Sequence, residues 1–227
     1  MPFIVKKKDA PQESGTWTHI PMEEVIKLRQ NFIDRHKKLH EANGPNYSYD
    51  FEPIIIDSSF FNELVQTAST GHYLVAHYIG NPDHKTLSLA LCIKVKSVQT
   101  NQDDTRIGLF SDVNGAYIRV DDFNKYHINY LVRRGICAHF VREFEYDREG
   151  RAHEVTREMK EAVDKMCHNS PQIYAYFILD DKIDGKYTLS IVFSDTKILS
   201  QTDDATQKID FRIYDAYDHG AACCPIG

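Results

Sequence analysis

The chain has 227 residues, of which 42% are hydrophobic and 26% are charged. This composition is typical of a globular chain that can bury a core, and the length allows one large domain or two small ones. The 33 acidic residues outnumber the 27 Lys and Arg, giving a formal net charge of -6. A negative field repels phosphate, so we expect no nucleic-acid partner.

The targeting and cysteine patterns predict a cytoplasmic protein. The sequence contains no apolar run of the roughly 20 residues that a membrane-spanning helix needs. The Lys residues near the N-terminus are not followed by the apolar stretch of a signal peptide. Five cysteines, an odd number, are scattered and do not form a disulfide framework, which suits a reducing compartment. We therefore expect no membrane partner.

The first predicted element after an N-terminal extension over 1–16 is a helix within 20–35. Apolar residues recur there at helical spacing, and Glu23 and Glu24 lie where the helix dipole favours acids. A link follows, and then a second helix is predicted over about 58–69 with Asp57 or Ser58 as its N-cap.

A hairpin and a short strand complete this first unit. The runs 73–79 and 87–95 are rich in β-branched and aromatic residues, and the turn-forming segment 80–83 separates them. The second run alternates strictly, which predicts one buried face and one less buried face. A further strand is predicted at 106–110.

The second half of the chain repeats this plan. Residues 118–133 align with residues 20–35 at an offset of 98, and Thr188-Leu189-Ser190 aligns with Thr86-Leu87-Ser88 at an offset of 102. Six segments in the same order, at offsets between 97 and 102, indicate an internal duplication. The corresponding second-half elements are a first helix within 118–133, a second helix over about 153–168, a hairpin of 173–179 and 187–193, and a strand at 208–214.

The predicted fold class is therefore α+β, with a duplicated unit of helix, link, helix, antiparallel hairpin and strand forming two pseudo-symmetric lobes. The predicted boundaries are an extension at 1–16, a first lobe at 17–110, a turn at 111–117, a second lobe at 118–214 and a tail at 215–227. We expect the helices to cover one face of the sheets, and the sheets could join edge to edge.

Few residues suggest chemistry. Asp218, His219, Cys223 and Cys224 in the tail could in principle bind zinc, but adjacent cysteines do not have the spacing of a zinc knuckle. Cys167 and His168 are neighbours in sequence, which says little about catalysis because a fold usually brings catalytic partners together. We predict no catalytic residue, no bound metal and no cofactor.

Aromatic residues in the two links are candidates for an interaction surface. Tyr47, Tyr49 and Phe51 precede the second helix of the first unit, and Phe144 and Tyr146 occupy the matching link. Tyrosine is favoured at interfaces because it combines a large contact area with a polar end. The alternative is that these rings cap the core of each lobe.

The unit also carries a family resemblance. A first helix opened by Ile20-Pro21-Met22-Glu23-Glu24, a strand reading Lys85-Thr86-Leu87-Ser88 and a tail containing Cys-Pro resemble a group of small uncharacterised bacterial proteins. Tails in that group tend to read Cys-Pro-Pro, whereas this chain has Cys224-Pro225-Ile226. The resemblance implies no activity.

Duplication without a repeated polar constellation leads to the expected function. We expect a non-enzymatic scaffold that binds a protein partner, or a second copy of itself, through the duplicated surface or an exposed strand edge. The alternative is a metal-dependent or thiol enzyme with a site between the lobes, drawing on His127, His139 and Cys137. A small-molecule sensor is a third hypothesis.

Overall fold

A computed structural model describes the parts of the chain that form its framework. The described residues are 18–43, 52–80, 87–94, 110–112, 115–119, 122–123, 125–126, 128–129, 150–183, 186–198, 216–218 and 221–222.

Three long helices in the described part of the chain confirm the periodicity in the sequence: α1 (Met22–Asn43), α2 (Ser58–Thr67) and α3 (Arg157–Asn169). The carboxylate of Asp57 accepts a hydrogen bond of 2.8 Å from the Phe60 amide, so Asp57 is the N-cap of α2. The Thr156 hydroxyl accepts from the Met159 amide at 3.1 Å and caps α3 in the same way. Helix α3 begins later than predicted because the preceding residues form a strand.

Within the described residues, eleven strands form two antiparallel sheets. They are β1 (Thr18–His19), β2 (Ile54–Asp57), β3 (Tyr73–Gly80), β4 (Leu87–Lys94), β5 (Phe110–Ser111), β6 (Tyr117–Ile118), β7 (Gly150–Glu154), β8 (Gln172–Ile183), β9 (Lys186–Ser194), β10 (Ala216–Asp218) and β11 (Ala221–Ala222). Sheet A has the order β1-β10-β9-β8-β2, and sheet B has the order β11-β7-β3-β4-β5-β6. The fold is therefore α+β, as predicted.

Each sheet combines strands from both halves of the chain. The predicted hairpins form, as β3 with β4 in sheet B and β8 with β9 in sheet A. Strand β2 from the first half pairs with β8, and β7 from the second half pairs with β3. The two predicted lobes therefore exchange a strand, and neither sheet is built from one half alone.

The strand registers follow the offsets of the sequence alignment. Asp57 lies opposite Gln172, and Glu154 lies opposite Tyr73. Strand β7 therefore matches β2 at a difference of 154 − 57 = 97. Strand β8 matches β3 at a difference of 172 − 73 = 99. Such registers are what a repeated unit would produce, and they support the duplication, which remains our interpretation of the sequence.

The two sheets pack face to face around the main core, and none of the described strands joins them edge to edge. One side of β3 and β4 packs against one side of β8 and β9. This core is formed by Leu74, Ala76, Tyr78, Leu89, Leu91, Ile93, Ile173, Ala175, Phe177, Leu179, Leu189, Ile191 and Phe193, with residues of α2, α3 and their flanks. The Tyr78 hydroxyl crosses between the sheets and donates a hydrogen bond of 3.0 Å to the carbonyl of Leu189.

The outer face of each sheet is covered as well. Val25 and Leu28 of α1 pack on Tyr176 and Ile178 of sheet A. Phe123 packs on Ile79, Ala90 and Ile118 of sheet B. The expectation that helices share a single face is therefore wrong.

Because both faces of sheet B are covered, the prediction that β4 has one buried and one less buried face needs correction. Ala90 and Cys92, on its supposedly less buried face, have exposed fractions of 0%. In the middle of β4 the alternation therefore reflects large and small buried residues, whereas Ser88 near its start is only partly buried, as predicted for that face.

Candidate functional site

The structure leaves the predicted interaction aromatics untested. Tyr47, Tyr49 and Phe51 lie outside the described residues, in the segment that precedes β2 in the sequence. Phe144 and Tyr146 also lie outside them, in the segment that precedes β7. Their role in binding stays a prediction.

The predicted metal and enzyme candidates are largely outside the described residues too. Asp218 ends β10, where its Cα is opposite that of Thr18, but His219, Cys223 and Cys224 are not described. The same is true of His127, His139 and Cys137. Within the described parts of the chain, no group of three or more His, Cys, Asp or Glu residues could hold a metal ion.

Two buried histidines lie on opposite sides of sheet B. His77 on β3 faces outward, and its ring meets the edge of Phe123 at a centroid distance of 5.4 Å. His153 on β7 is opposite Leu74 and contacts Phe193 at 6.0 Å, within the main core. Because the sheet separates them, these two side chains do not share a site.

Cys167 on α3 is a poor nucleophile. Its side chain is half-buried, and this burial together with the nearby Asp164 carboxylate raises the pKa of the thiol to about 12. The reactive form of cysteine is the thiolate, so a thiol with this pKa is almost fully protonated at neutral pH. The neighbouring Cys167 and His168 thus lack the activated thiol of a cysteine enzyme.

We expect alkylation of Cys167, followed by mass spectrometry of its peptide, to show this raised pKa. In the folded protein the rate should rise about tenfold per pH unit from pH 7 to pH 10 without levelling, because it follows the thiolate fraction. In the urea-unfolded chain it should level off near the ordinary thiol pKa of about 8.5. Asp164→Asn should accelerate the folded reaction, and a plateau below pH 9 in the folded protein would contradict the assignment.

Strand β2 forms one edge of sheet A. Among the described residues, β2 has a strand neighbour on one side only, which is β8. The Ser58 amide donates to the Pro171 carbonyl at 3.3 Å, on the β8 side. Main-chain groups alternate sides along an antiparallel strand, so those of Ile54 and Ile56 face β8. The amide and carbonyl of Ile55 therefore face away from the sheet.

The side chain of Ile55 is exposed beside this edge. Its exposed fraction is 45%, which makes it one of the few large exposed hydrophobic residues in the described part of the chain. It is opposite the half-buried Tyr174 on the α1 side of sheet A. Pro53 precedes the strand and α2 follows it directly, so the accessible edge is limited to four residues.

Strand β7 of sheet B, which our sequence alignment matches with β2, has a strand neighbour on the side away from β3. The Val155 amide donates to the His72 carbonyl at 2.7 Å, so by the same alternation Ala152 faces away from β3. Ala221 of β11 lies directly opposite Ala152. Ala152 matches Ile55 at the offset of 152 − 55 = 97. The edge of β7 thus carries an added strand, whereas β2 has none there among the described residues.

Sequence reasoning did not single out Ile55. The available signal was the apolar triplet Ile54-Ile55-Ile56 between Pro53 and Asp57, which is a short β-type run bounded by a breaker and a helix cap.

The fold and this edge define a class: an α+β protein of two facing antiparallel sheets with a short, partly apolar strand edge. Comparisons with protein-family models, curated proteins and solved structures gave no match to the chain. A search of the described helices found none long and apolar enough to cross a membrane.

Proposed function

We propose that this is a non-enzymatic interaction protein that binds a protein partner by adding the partner's strand to the edge of β2. The observation that carries the proposal is the outward main chain of Ile55 next to its exposed side chain. A partner strand would pair with this main chain and cover the isoleucine, and such pairing needs no special side chains. Binding of this kind is compatible with a sequence in which we found no catalytic motif.

The expected strength of this contact is modest. A main-chain hydrogen bond contributes about 0.5–1.5 kcal/mol net, and the four residues of β2 offer few of them. Burial of apolar surface on Ile55 adds about 25 cal/mol per Å². A stable complex would therefore also use neighbouring side chains, among which Lys197 and Glu52 form an ion pair of 3.3 Å.

Capture from a lysate by three tagged full-length chains tests the proposal. We expect wild type and Ser59→Lys to enrich the same proteins and Ile55→Lys to lose at least one of them, as quantified by mass spectrometry. Lysine on an edge strand opposes strand addition because pairing would desolvate its charge. Ser59 is an exposed residue of α2, so its variant matches the change in charge without touching the edge.

All three chains should have the same circular dichroism spectrum, because both substituted side chains are exposed. Equal capture by all three, with folding intact, would contradict binding through β2.

A further inference from the structure

We infer that strand β7 is an acid-sensitive latch: proton uptake by His153 releases β7 from β3 while the rest of the two-sheet framework stays folded. This latch belongs to sheet B and is independent of the proposed role of β2. Two features support it. An ionisable side chain is buried in the main core, and the strand that bears it is short and poorly suited to β structure.

The His153 side chain occupies an apolar part of the main core. It has an exposed fraction of 0%, its Cα is opposite that of Leu74, and its ring meets that of Phe193 at a centroid distance of 6.0 Å. Burial in such surroundings disfavours the charged form of an imidazole. Histidine is also the residue whose charge ordinarily changes between pH 5 and 8, so a modest fall in pH sets burial against protonation.

The elements packed around this side chain determine which groups face it. From β3 the core receives Tyr78, and His72 lies just before that strand. From β9 the imidazole is met by Phe193, and α2 and α3 bring Phe61 and Met159 to the same core. Within the described part of the chain, no buried residue is acidic. The described surroundings therefore favour the neutral imidazole.

The charged residues of β7 itself are Arg151 and Glu154. Glu154 is opposite Tyr73 on the other face of sheet B, where burial and this carboxylate raise the pKa of the Tyr73 phenol. Carboxylates and guanidinium groups keep their charges between pH 5.5 and 7.5. The pH-dependent groups around β7 in this range are therefore His153 and the partly exposed His72.

Strand β7 is suited to local opening. Its sequence is Gly-Arg-Ala-His-Glu, and glycine, alanine and glutamate are depleted in strands. Its end is fixed at Val155, whose amide donates to the His72 carbonyl at 2.7 Å and whose carbonyl accepts from the Gly71 amide at 3.1 Å. Beyond it, α3 is held on α2, where Lys160 Nζ donates to the Gln66 carbonyl at 2.9 Å. Strand β7 can therefore leave β3 by moving about Val155 without displacing α3.

Proton linkage gives the sign and the size of the effect. A histidine exposed to water takes up a proton near pH 6.5, whereas the apolar core favours the neutral form. The opened state therefore binds more protons than the closed state as the pH falls below 6.5, and its population rises. From pH 7.5 to pH 5.5 the opening equilibrium constant should increase about tenfold, and above pH 7.5 it should no longer depend on His153 protonation.

Amide hydrogen exchange of the ¹⁵N-labelled full chain at pH 7.5 and pH 5.5 tests the latch. Protection factors are compared, because they remove the pH dependence of exchange in an unstructured peptide. The reporters are the amides of His153 and Leu74, which pair across β7 and β3. The reference is the set of protected amides between β8 and β9 of sheet A. We expect protection at the reporters to fall about tenfold at pH 5.5, and protection at the reference to change clearly less.

Three variants assign the effect to one side chain. His153→Leu and His153→Gln both remove the titrating group, one with an apolar and one with a polar neutral residue, and both retain His72. In each, the Leu74 amide should change with pH no more than the reference does. His77→Leu is the matched control, because His77 is equally buried but faces Phe123 on the outer side of sheet B. It should keep the tenfold fall.

Four results would overturn the inference. Unchanged protection at the reporters would show that acid does not open β7. An equal fall at the reporters and the reference would show that acid unfolds the whole framework. A fall that persists in both His153 variants would assign the effect to another group, such as His72. Protection that rises at pH 5.5 would show that the core stabilises the imidazolium.

Discussion

Phe193→Ala should lower the free energy of unfolding by about 3–5 kcal/mol, the usual cost of removing a fully buried phenylalanine ring. Phe193 on β9 has an exposed fraction of 0%. Its ring stacks on Phe61 of α2 at a centroid distance of 5.2 Å and meets His153 of β7 at 6.0 Å. One side chain thus joins sheet A, sheet B and a helix, and its removal leaves a cavity where all three meet.

Urea unfolding followed by both circular dichroism and tyrosine fluorescence measures this effect. Because the sheets share one core, the two signals should change in a single coincident transition in wild type and in the variant. Tyr174→Ala is the control, since Tyr174 is a half-buried aromatic residue of the same sheet, and it should cost clearly less. Separate transitions for the two signals would show that the protein does not unfold in one cooperative step and would contradict the shared core.

Arg29→Met should lower the free energy of unfolding by about 2–4 kcal/mol. The Arg29 side chain on α1 is 6% exposed, and its Nη1 donates a hydrogen bond of 2.8 Å to the carbonyl of Phe177. The guanidinium also lies over the rings of Phe32 and Tyr176, at 5.1 and 5.5 Å from their centroids. A hydrogen bond from a charged donor contributes about 1.5–3 kcal/mol, and each cation–π contact contributes about 0.5–1 kcal/mol.

Chemical unfolding of Arg29→Lys and Arg29→Met separates the contribution of the positive charge at residue 29 from that of the planar guanidinium group. Lysine keeps the charge but loses the planar group that stacks between two rings, so its cost should fall between wild type and methionine. Methionine fills a similar volume without a donor, which leaves the Phe177 carbonyl without this bond. A methionine variant as stable as wild type would mean that desolvation of the buried guanidinium cancels its interactions.

The sequence was sufficient for the elements whose periodicity is long or whose turn chemistry is strong. Helix α3 repeats apolar residues at Met159, Val163 and Met166, and all three are buried. Both hairpins were predicted within a few residues because β-branched runs flank turn-forming residues. In these cases local preference and tertiary packing favour the same structure.

Strands β2 and β7 could not be recognised in the same way. Strand β7 reads Gly-Arg-Ala-His-Glu, which has no strand preference of its own, and it is held by neighbours on both sides. Its pairing with β3 joins residues more than seventy positions apart, and no local pattern reports such a contact. The candidate site depends on this pairing, because the edge at Ile55 is defined by which strand lies beside β2.

The reciprocal exchange of β2 and β7 imposes an order on events during synthesis. Strand β2 must wait for β8 to emerge from the ribosome, and the β3–β4 hairpin must wait for β7 before it gains its second neighbour. Sheet A is closed by β10, which bridges β9 to β1 at the other end of the chain. Contacts at such sequence separation form slowly, so the nascent first half displays incomplete sheet edges that nascent-chain chaperones can bind.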